Sequence, residues 1–482
     1  MENNNLCYEY CKIWDYIIVG AGISGAVVLE KLVEKYGNTK NILILERHNE
    51  IGGCLNTFSR NYGNTTYTNN ELRRPCELGG MRYFTEMKSI VEYINKYHLK
   101  SKDVEITSNK NILLINNKIE KIVDQEYFNL IDDEIISYLD KMLEIKDINL
   151  AINNYSERKQ IFNNILSSNN IQSMYTQNII ENSTFNSYIR NNKYNGFIDN
   201  DIAASMSIEI LDLDKGGQRI LVDGFQNMVQ VIFDKNGINT INNKTKKKII
   251  MKLNTNVCMV NDNILKTNNG NYKGKKIIWT IPPKFMADIG TKSKMHSKIL
   301  DEYINGFWDF RATKIFLLYD KPWWDSSLIG RNLSDTTLGQ LWVWDDKTLL
   351  IYCCDQSAIY WQNIIGISPN LNYGKYIDIQ ENITTIPGWY SDQALTNISK
   401  LFPIENITPL TGYAIAFWNN NVPVWKTRDF KKYGNILKRR NRIRFPFCNK
   451  QHIYMSNGSS LYQGWVDGSI EEVINVFKEI NI

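Results

Sequence analysis

The stretch Asp15-Tyr-Ile-Ile-Val-Gly20-Ala-Gly22-Ile-Ser-Gly25 decides the fold. Asp15–Val19 reads as a short buried strand, apolar without alternation. The glycine pattern Gly20-x-Gly22-x-x-Gly25 follows at once. A helical pattern comes next, with Val28, Leu32, Val33 and Tyr36 on one face and Gly37 as its stop. A second buried strand, Asn41-Ile-Leu-Ile-Leu45, ends at Glu46-Arg47. Each part has a role in holding a dinucleotide. Gly20 allows a tight turn, Gly22 lets a pyrophosphate approach the backbone, and Gly25 lets helix and strand pack closely. The helix N-terminus at Ile23, Ser24 and Gly25 turns its positive dipole end to the anion. Glu46 lies about 20 residues beyond the glycines, where a carboxylate accepts hydrogen bonds from an adenosine ribose. The glycines alone are a weak signal; the complete strand–glycine–helix–strand–Glu unit is a strong one.

Working outward, the 482 residues suffice for about three domains and a large core without disulfides or metal. The net charge of +5 is too slight over this length to imply a nucleic-acid partner. Four histidines argue against a His-rich metal centre, and no metal site is expected. Eight scattered cysteines fit reduced thiols, and Cys7-x-x-x-Cys11 has no second pair to complete a zinc site. Asn, Ile, Lys and Tyr are abundant, as in AT-rich genomes. The Asn-x-Ser/Thr sites, Asn64, Asn182 and Asn332 among them, are therefore expected by chance. The acidic, polar start MENNNLCYEYCKIWD carries no signal-peptide pattern. The expectation is a cytoplasmic protein, or a virion-packaged one if the source is a large DNA virus, with no membrane span.

After Glu46 the sequence reads Arg47-His-Asn-Glu-Ile-Gly52-Gly53, a second glycine pair that lets the chain double back over the dinucleotide. Further on comes Glu77-Leu-Gly79-Gly80-Met81-Arg82-Tyr83. This succession resembles the flavin-dependent amine oxidase superfamily, and within it the L-amino-acid oxidases. There a similar Leu-Gly-x-Met-Arg stretch contributes to both flavin and substrate sites. The likeness continues in order along most of the chain. Gly224 before a helical run and Val257, which would bond the adenine, match the family, as does Lys275-Lys-Ile-Ile-Trp-Thr-Ile-Pro282-Pro283. Lys314, in Ala312-Thr-Lys314-Ile-Phe-Leu-Leu-Tyr319, resembles the lysine that holds a water beside flavin N5. Leu341–Trp344 and Thr348–Tyr352 read as a hairpin around Asp345-Asp346-Lys347. Tyr352 falls where the family carries a substrate-binding tyrosine. The segment Ile453–Ser469 resembles the C-terminal flavin motif, with Asn457, Gly464-Trp465 over the flavin ring and Val466 opening the last helix. Two departures stand out. Cys54 replaces the arginine that usually follows the glycine pair, removing a phosphate cation. Ser456-Asn457 replaces the usual Gly-Glu or Gly-Asp.

The resemblance implies an α/β (α+β composite) fold: a Rossmann-type FAD-binding domain interleaved with a mixed-sheet substrate domain and a helical cap. The FAD domain would comprise 12–66, 218–300 and 440–482, the substrate domain 67–110 and 301–439, and the cap 111–217. The activity implied is oxidative deamination of an L-amino acid by hydride transfer to flavin N5, with molecular oxygen as acceptor and hydrogen peroxide as a product. The cofactor would be non-covalent FAD, since the C-terminal flavin motif lacks cysteine. The family-level assembly is a homodimer. The small-molecule substrate would be held by Arg82, whose planar fork suits a carboxylate, and by Tyr352. Lys314, Gly464 and Trp465 complete the reactive centre, and Gly79, Gly80 and Met81 join the flavin contacts. Three rivals remain open: a polyamine or monoamine oxidase, a decarboxylating monooxygenase relative, and a flavin-binding structural protein with lost catalysis. The basic runs Lys244–Lys248 and Lys438–Arg442 read as solvated loops, and the tryptophan clusters as core.

Overall fold

The computed structural model describes residues 12–60, 74–85, 87–104, 110–115, 118–121, 218–239, 244–245, 248–334, 336–367, 374–402, 407–425, 436–460 and 464–480. Nearly all of the expected cap, together with Cys7, Cys11 and Asn64, lies outside them.

Two large sheets organise these residues. The first has the order Ile249–Lys252, Ile42–Leu45, Ile13–Val19, Gly270–Trp279, Ile264–Thr267, Val257–Asn261. Its first four strands are parallel, and His452–Tyr454 runs parallel to the end of Gly270–Trp279. All four side chains of Ile42–Leu45 are buried, as a parallel strand covered on both faces requires. Ile18, Ile42 and Ile44 face the helices Ile23–Tyr36, Phe225–Lys235 and Val466–Ile480. Ile17, Leu43 and Leu45 face the opposite core with Met286, Ile289 and Ile299. Each such side chain contributes roughly 1.5–3 kcal/mol when fully buried.

The second sheet is mixed and has eight strands. Its order is Lys375–Glu381, Leu410–Trp425, Phe307–Tyr319, Thr348–Cys354, Gln340–Asp345, Gly330–Ser334, Ile112–Ile115, Lys118–Lys121. Every pairing is antiparallel except Gly330–Ser334 with Ile112–Ile115. The predicted hairpin is present, and Asp345 Oδ1 accepts the Lys347 N–H at 2.9 Å across the turn. Ile315, Leu317, Val343 and Ile351 point to one core, around Trp361, Ile398 and Phe402. Phe316, Trp342, Leu350, Ala416 and Trp418 point to the other, together with Cys76, Leu78 and Met81. The second face carries the candidate site.

The start of the segment expected as a helical cap is described only at residues 111–115 and 118–121. Residues 112–115 and 118–121 form an antiparallel pair that extends the mixed sheet. The apolar run Ile112-Leu-Leu-Ile115 reaches the edge of that sheet, where Asn332 Oδ1 accepts the Ile112 N–H at 2.8 Å. The described cysteines 54, 76, 258, 353 and 448 are free thiols. Among the described residues no helix is long and apolar enough to cross a membrane, and no His/Cys/Asp/Glu cluster could hold a metal.

Candidate active site

The glycine turn joins the strand Ile13–Val19 to the helix Ile23–Tyr36. Gly20 sits at φ +112°, a conformation that favours glycine. A Cβ on Gly25 would lie 2.1 Å from Gly20 O, so close helix–strand contact accounts for that glycine. Gly22 differs. Its φ is −82°, and a Cβ there would meet Gly52 O and Gly53 Cα at an ordinary 3.7 Å. Nothing among the described residues requires Gly22 to lack a side chain. It is the N-cap of a helix that no side chain caps, and its bareness leaves room for a group outside the chain. Gly52 docks on this turn, bridged to Gly22 and donating to Ala21 O at 3.0 Å.

Glu46 is buried at the end of its strand. Its carboxylate accepts the Ala21 N–H at 2.8 Å and the His48 N–H at 2.9 Å. Burial raises its pKa against the pull of these two donors. The Arg47 guanidinium stacks over Phe285 at 3.8 Å. Val257 is buried near the same strand end, where Thr255 donates to Glu46 O at 2.7 Å. Turn, bare glycine and carboxylate fit a dinucleotide.

The Glu77–Arg82 segment packs on Cys54–Asn56, just past the second glycine pair. Gly80 donates to Cys54 O at 3.1 Å. A Cβ on Gly79 would fall 1.8 Å from that same oxygen. The segment is held from the sheet side. Lys314 Nζ donates to Glu77 O at 2.9 Å and also to Gly79 O. Trp418 Nε1 donates to Leu78 O at 2.5 Å. Strand register places Tyr352 beside Lys314, with its ring centroid 5.1 Å from the ammonium. Met81 is buried with Leu78 and Trp418. Arg82 is 7% exposed, its guanidinium 5.6 Å from the Trp342 ring and 5.9 Å from the Trp465 ring. Trp465 is half-buried against Phe84 at 5.2 Å. Val466 Cγ2 lies 3.4 Å from where a Gly80 Cβ would be. The residues Gly79 to Arg82, Lys314, Tyr352, Gly464, Trp465 and Val466 therefore converge on one region, while Glu46, Arg47 and Val257 lie around the end of the strand Ile42–Leu45.

Residues 18–96 match the NAD(P)-binding Rossmann-like domain family. Along nearly its whole length the chain is similar to solved amine oxidase structures. Putrescine oxidase bound to putrescine shares 12% identity at a TM-score of 0.63, covering 98% of this chain and 99% of that one. Cyclohexylamine oxidase from Brevibacterium oxydans shares 12% identity at a TM-score of 0.66, covering 98% and 100%. The chain adopts the fold of the flavin-dependent amine oxidases. It is also 23% identical over 503 residues to the uncharacterized protein R188 of Acanthamoeba polyphaga mimivirus, covering 97% of this chain and 93% of that protein.

Within the amine oxidase fold, several side chains stand differently from their sequence reading. Asn457 bonds the backbone ahead of the last helix: its Oδ1 accepts the Gly464 N–H at 2.7 Å and its Nδ2 donates to Trp465 O at 2.8 Å. Trp342, read as core, is buried and also forms the wall beside Arg82. Asp345, expected at a hairpin tip, is fully buried, and burial pushes its carboxyl up to about 6. Sequence reasoning assigned no role to Glu77. It is fully buried and accepts from Thr57 Oγ1 and from Phe225 N, both at 2.8 Å. It thereby holds the N-terminus of the helix Phe225–Lys235. Burial drives its pKa to about 8, against the pull of Thr57, Phe225 and Lys314. The signal for it was a Glu two residues before the glycine pair Gly79-Gly80.

Proposed function

We propose that this chain is an FAD-dependent oxidase of an L-amino acid, giving a 2-oxo acid, ammonia and hydrogen peroxide from substrate, water and oxygen. The observation that supports this reading is the buried Arg82 guanidinium between the Trp342 and Trp465 rings. A cation in that setting suits a carboxylate, which can accept two parallel hydrogen bonds from the fork. FAD, when bound, supplies the hydride acceptor. The chain's own part is placement. Arg82, with Tyr352 as second donor, holds the substrate carboxylate; Trp342, Trp465 and Phe84 exclude water. Lys314 keeps the Glu77–Gly79 backbone in place through the two carbonyls it engages. The cofactor is read as non-covalent, and flavin colour that stays with the denatured chain contradicts that.

A second reading is favoured by the matched structures, whose names are those of oxidases of simple amines. In that case the substrate lacks a carboxylate and Arg82 only packs. Steady-state peroxide assays with L-amino acids, putrescine, spermine and tyramine separate the two. Arg82→Met should raise KM for amino acids by roughly 10- to 100-fold, the worth of a charge-assisted hydrogen bond. Its effect on simple amines should be much smaller. Equal effects on both classes reject the carboxylate role.

A further inference from the structure

The departure at Cys54 removes the cation that would normally meet the cofactor phosphates from the second glycine pair. Cys54 cannot replace it by charge, since a thiol is never cationic; burial pushes its pKa up to about 11, which also keeps it from adding a negative charge. Two other basic side chains near this turn are also poorly suited. Arg47 is stacked on Phe285 and donates from Nε to His48 Nε2 at 3.1 Å. His48 is held neutral, its pKa pushed down to about 3 by burial and by the charges of Arg47 and Lys375.

Lys375 is different. It begins the edge strand Lys375–Glu381 of the mixed sheet, in register with Trp418, whose indole caps Leu78 O and touches the Gly79 position. Its side chain is only 10% exposed and runs back toward the glycine loop. Its ammonium meets Glu50 Oε1 at 2.7 Å, two residues before Gly52. Glu50 Oε1 also accepts from Asn56 Nδ2 at 2.9 Å, just past the turn. The same ammonium acts electrostatically on Cys54, Glu46 and His48 together, favouring charge on the first two and opposing it on the third. A lysine from a distant strand is thus held, largely desolvated, over the loop that lost its cation.

We infer that Lys375 is the phosphate-binding cation of this cradle, supplied from the mixed sheet in place of the residue missing at position 54. The inference rests on the FAD reading above. Glu50 holds the ammonium in position, and a cofactor phosphate becomes its second anionic partner.

The test is FAD titration of the deflavinated full-length chain, followed by flavin fluorescence at two salt concentrations, with circular dichroism to verify folding. Lys375→Met should weaken FAD binding by roughly tenfold or more, the worth of one charge-assisted hydrogen bond, and reduce its salt dependence. Adding Cys54→Arg to that variant should restore affinity by returning the charge to the glycine loop. Adding Glu50→Gln should not. Unchanged affinity in Lys375→Met overturns the assignment. So does full recovery in Lys375→Met/Glu50→Gln, which would mean that the lysine only neutralises Glu50. If Lys375→Met does not fold, Lys375→Arg replaces it; unaltered affinity with Arg agrees with a phosphate cation, and loss of binding opposes it. A wild-type chain that binds no FAD overturns the cofactor reading as well, whereas a wild type that binds beside an equally tight Lys375→Met overturns the lysine alone.

Discussion

Gly22 and Gly25 stand three positions apart and answer to different demands. Gly25 is small because Gly20 O occupies the place of its side chain. Gly22 is small although a Cβ there would make only ordinary van der Waals contacts with the described residues. Gly25→Ala should therefore lower the melting temperature of the cofactor-free chain, by a clash costing roughly 1–3 kcal/mol. Gly22→Ala should leave that temperature nearly unchanged and weaken FAD binding by about tenfold or more. Comparing melting and titration for the two variants checks this, and a Gly22→Ala chain that binds FAD normally counts against a phosphate at the turn. The glycine turn was legible in the sequence because it belongs to a contiguous pattern; Arg82 and Lys314 were legible as positions, but the hold of Lys314 on Glu77 O and Gly79 O was not. Lys375 was not, because its relation to Cys54 is made only by the docking of two sheets. Asn457 was legible as a position but not as a partner of Gly464 N and Trp465 O, since nothing in the local pattern pairs residues seven and eight apart here.

At the scale of elements, Glu77 links the strand pair Thr57–Phe58/Cys76–Glu77 to the helix Phe225–Lys235. Its carboxyl titrates near 8 in the folded chain, well above its ordinary value, because it is buried. Between these two values the folded state holds a proton that the unfolded state releases. The contribution is complete below the ordinary carboxylate range and is lost as pH rises toward 8. Thermal melts of wild type and Glu77→Gln from pH 5 to 8 should show a steeper loss of stability with pH in the wild type. Parallel curves would mean that Glu77 is ionised throughout. The strand Ile13–Val19, its helix and Ile42–Leu45 lie within about two residues of their sequence reading, because local period and turn chemistry agree there. The pair 112–115 and 118–121 was missed. Runs of four residues, one apolar (Ile112–Ile115) and one charged (Lys118–Lys121), carry no period of their own; the first is a strand through the neighbouring Gly330–Ser334 and the second through the first.

At the scale of the molecule, two sheets meet across the Gly52–Leu55 and Glu77–Arg82 segments. One presents the dinucleotide turn, and the other presents Lys314, Tyr352 and Trp342. The strand order of neither sheet follows from periodicity; resemblance supplied the architecture, and 12% identity to solved amine oxidases shows how little of it survives in residue-by-residue likeness. In the proposed function this arrangement oxidises the C–N bond of an amino acid. The most direct measurement is anaerobic mixing of the FAD-loaded chain with each L-amino acid and with putrescine, spermine and tyramine, following the visible flavin absorbance. The account predicts bleaching by at least one L-amino acid, at concentrations where the simple amines leave the band intact. A loaded chain bleached only by simple amines, or by none of these compounds, contradicts it.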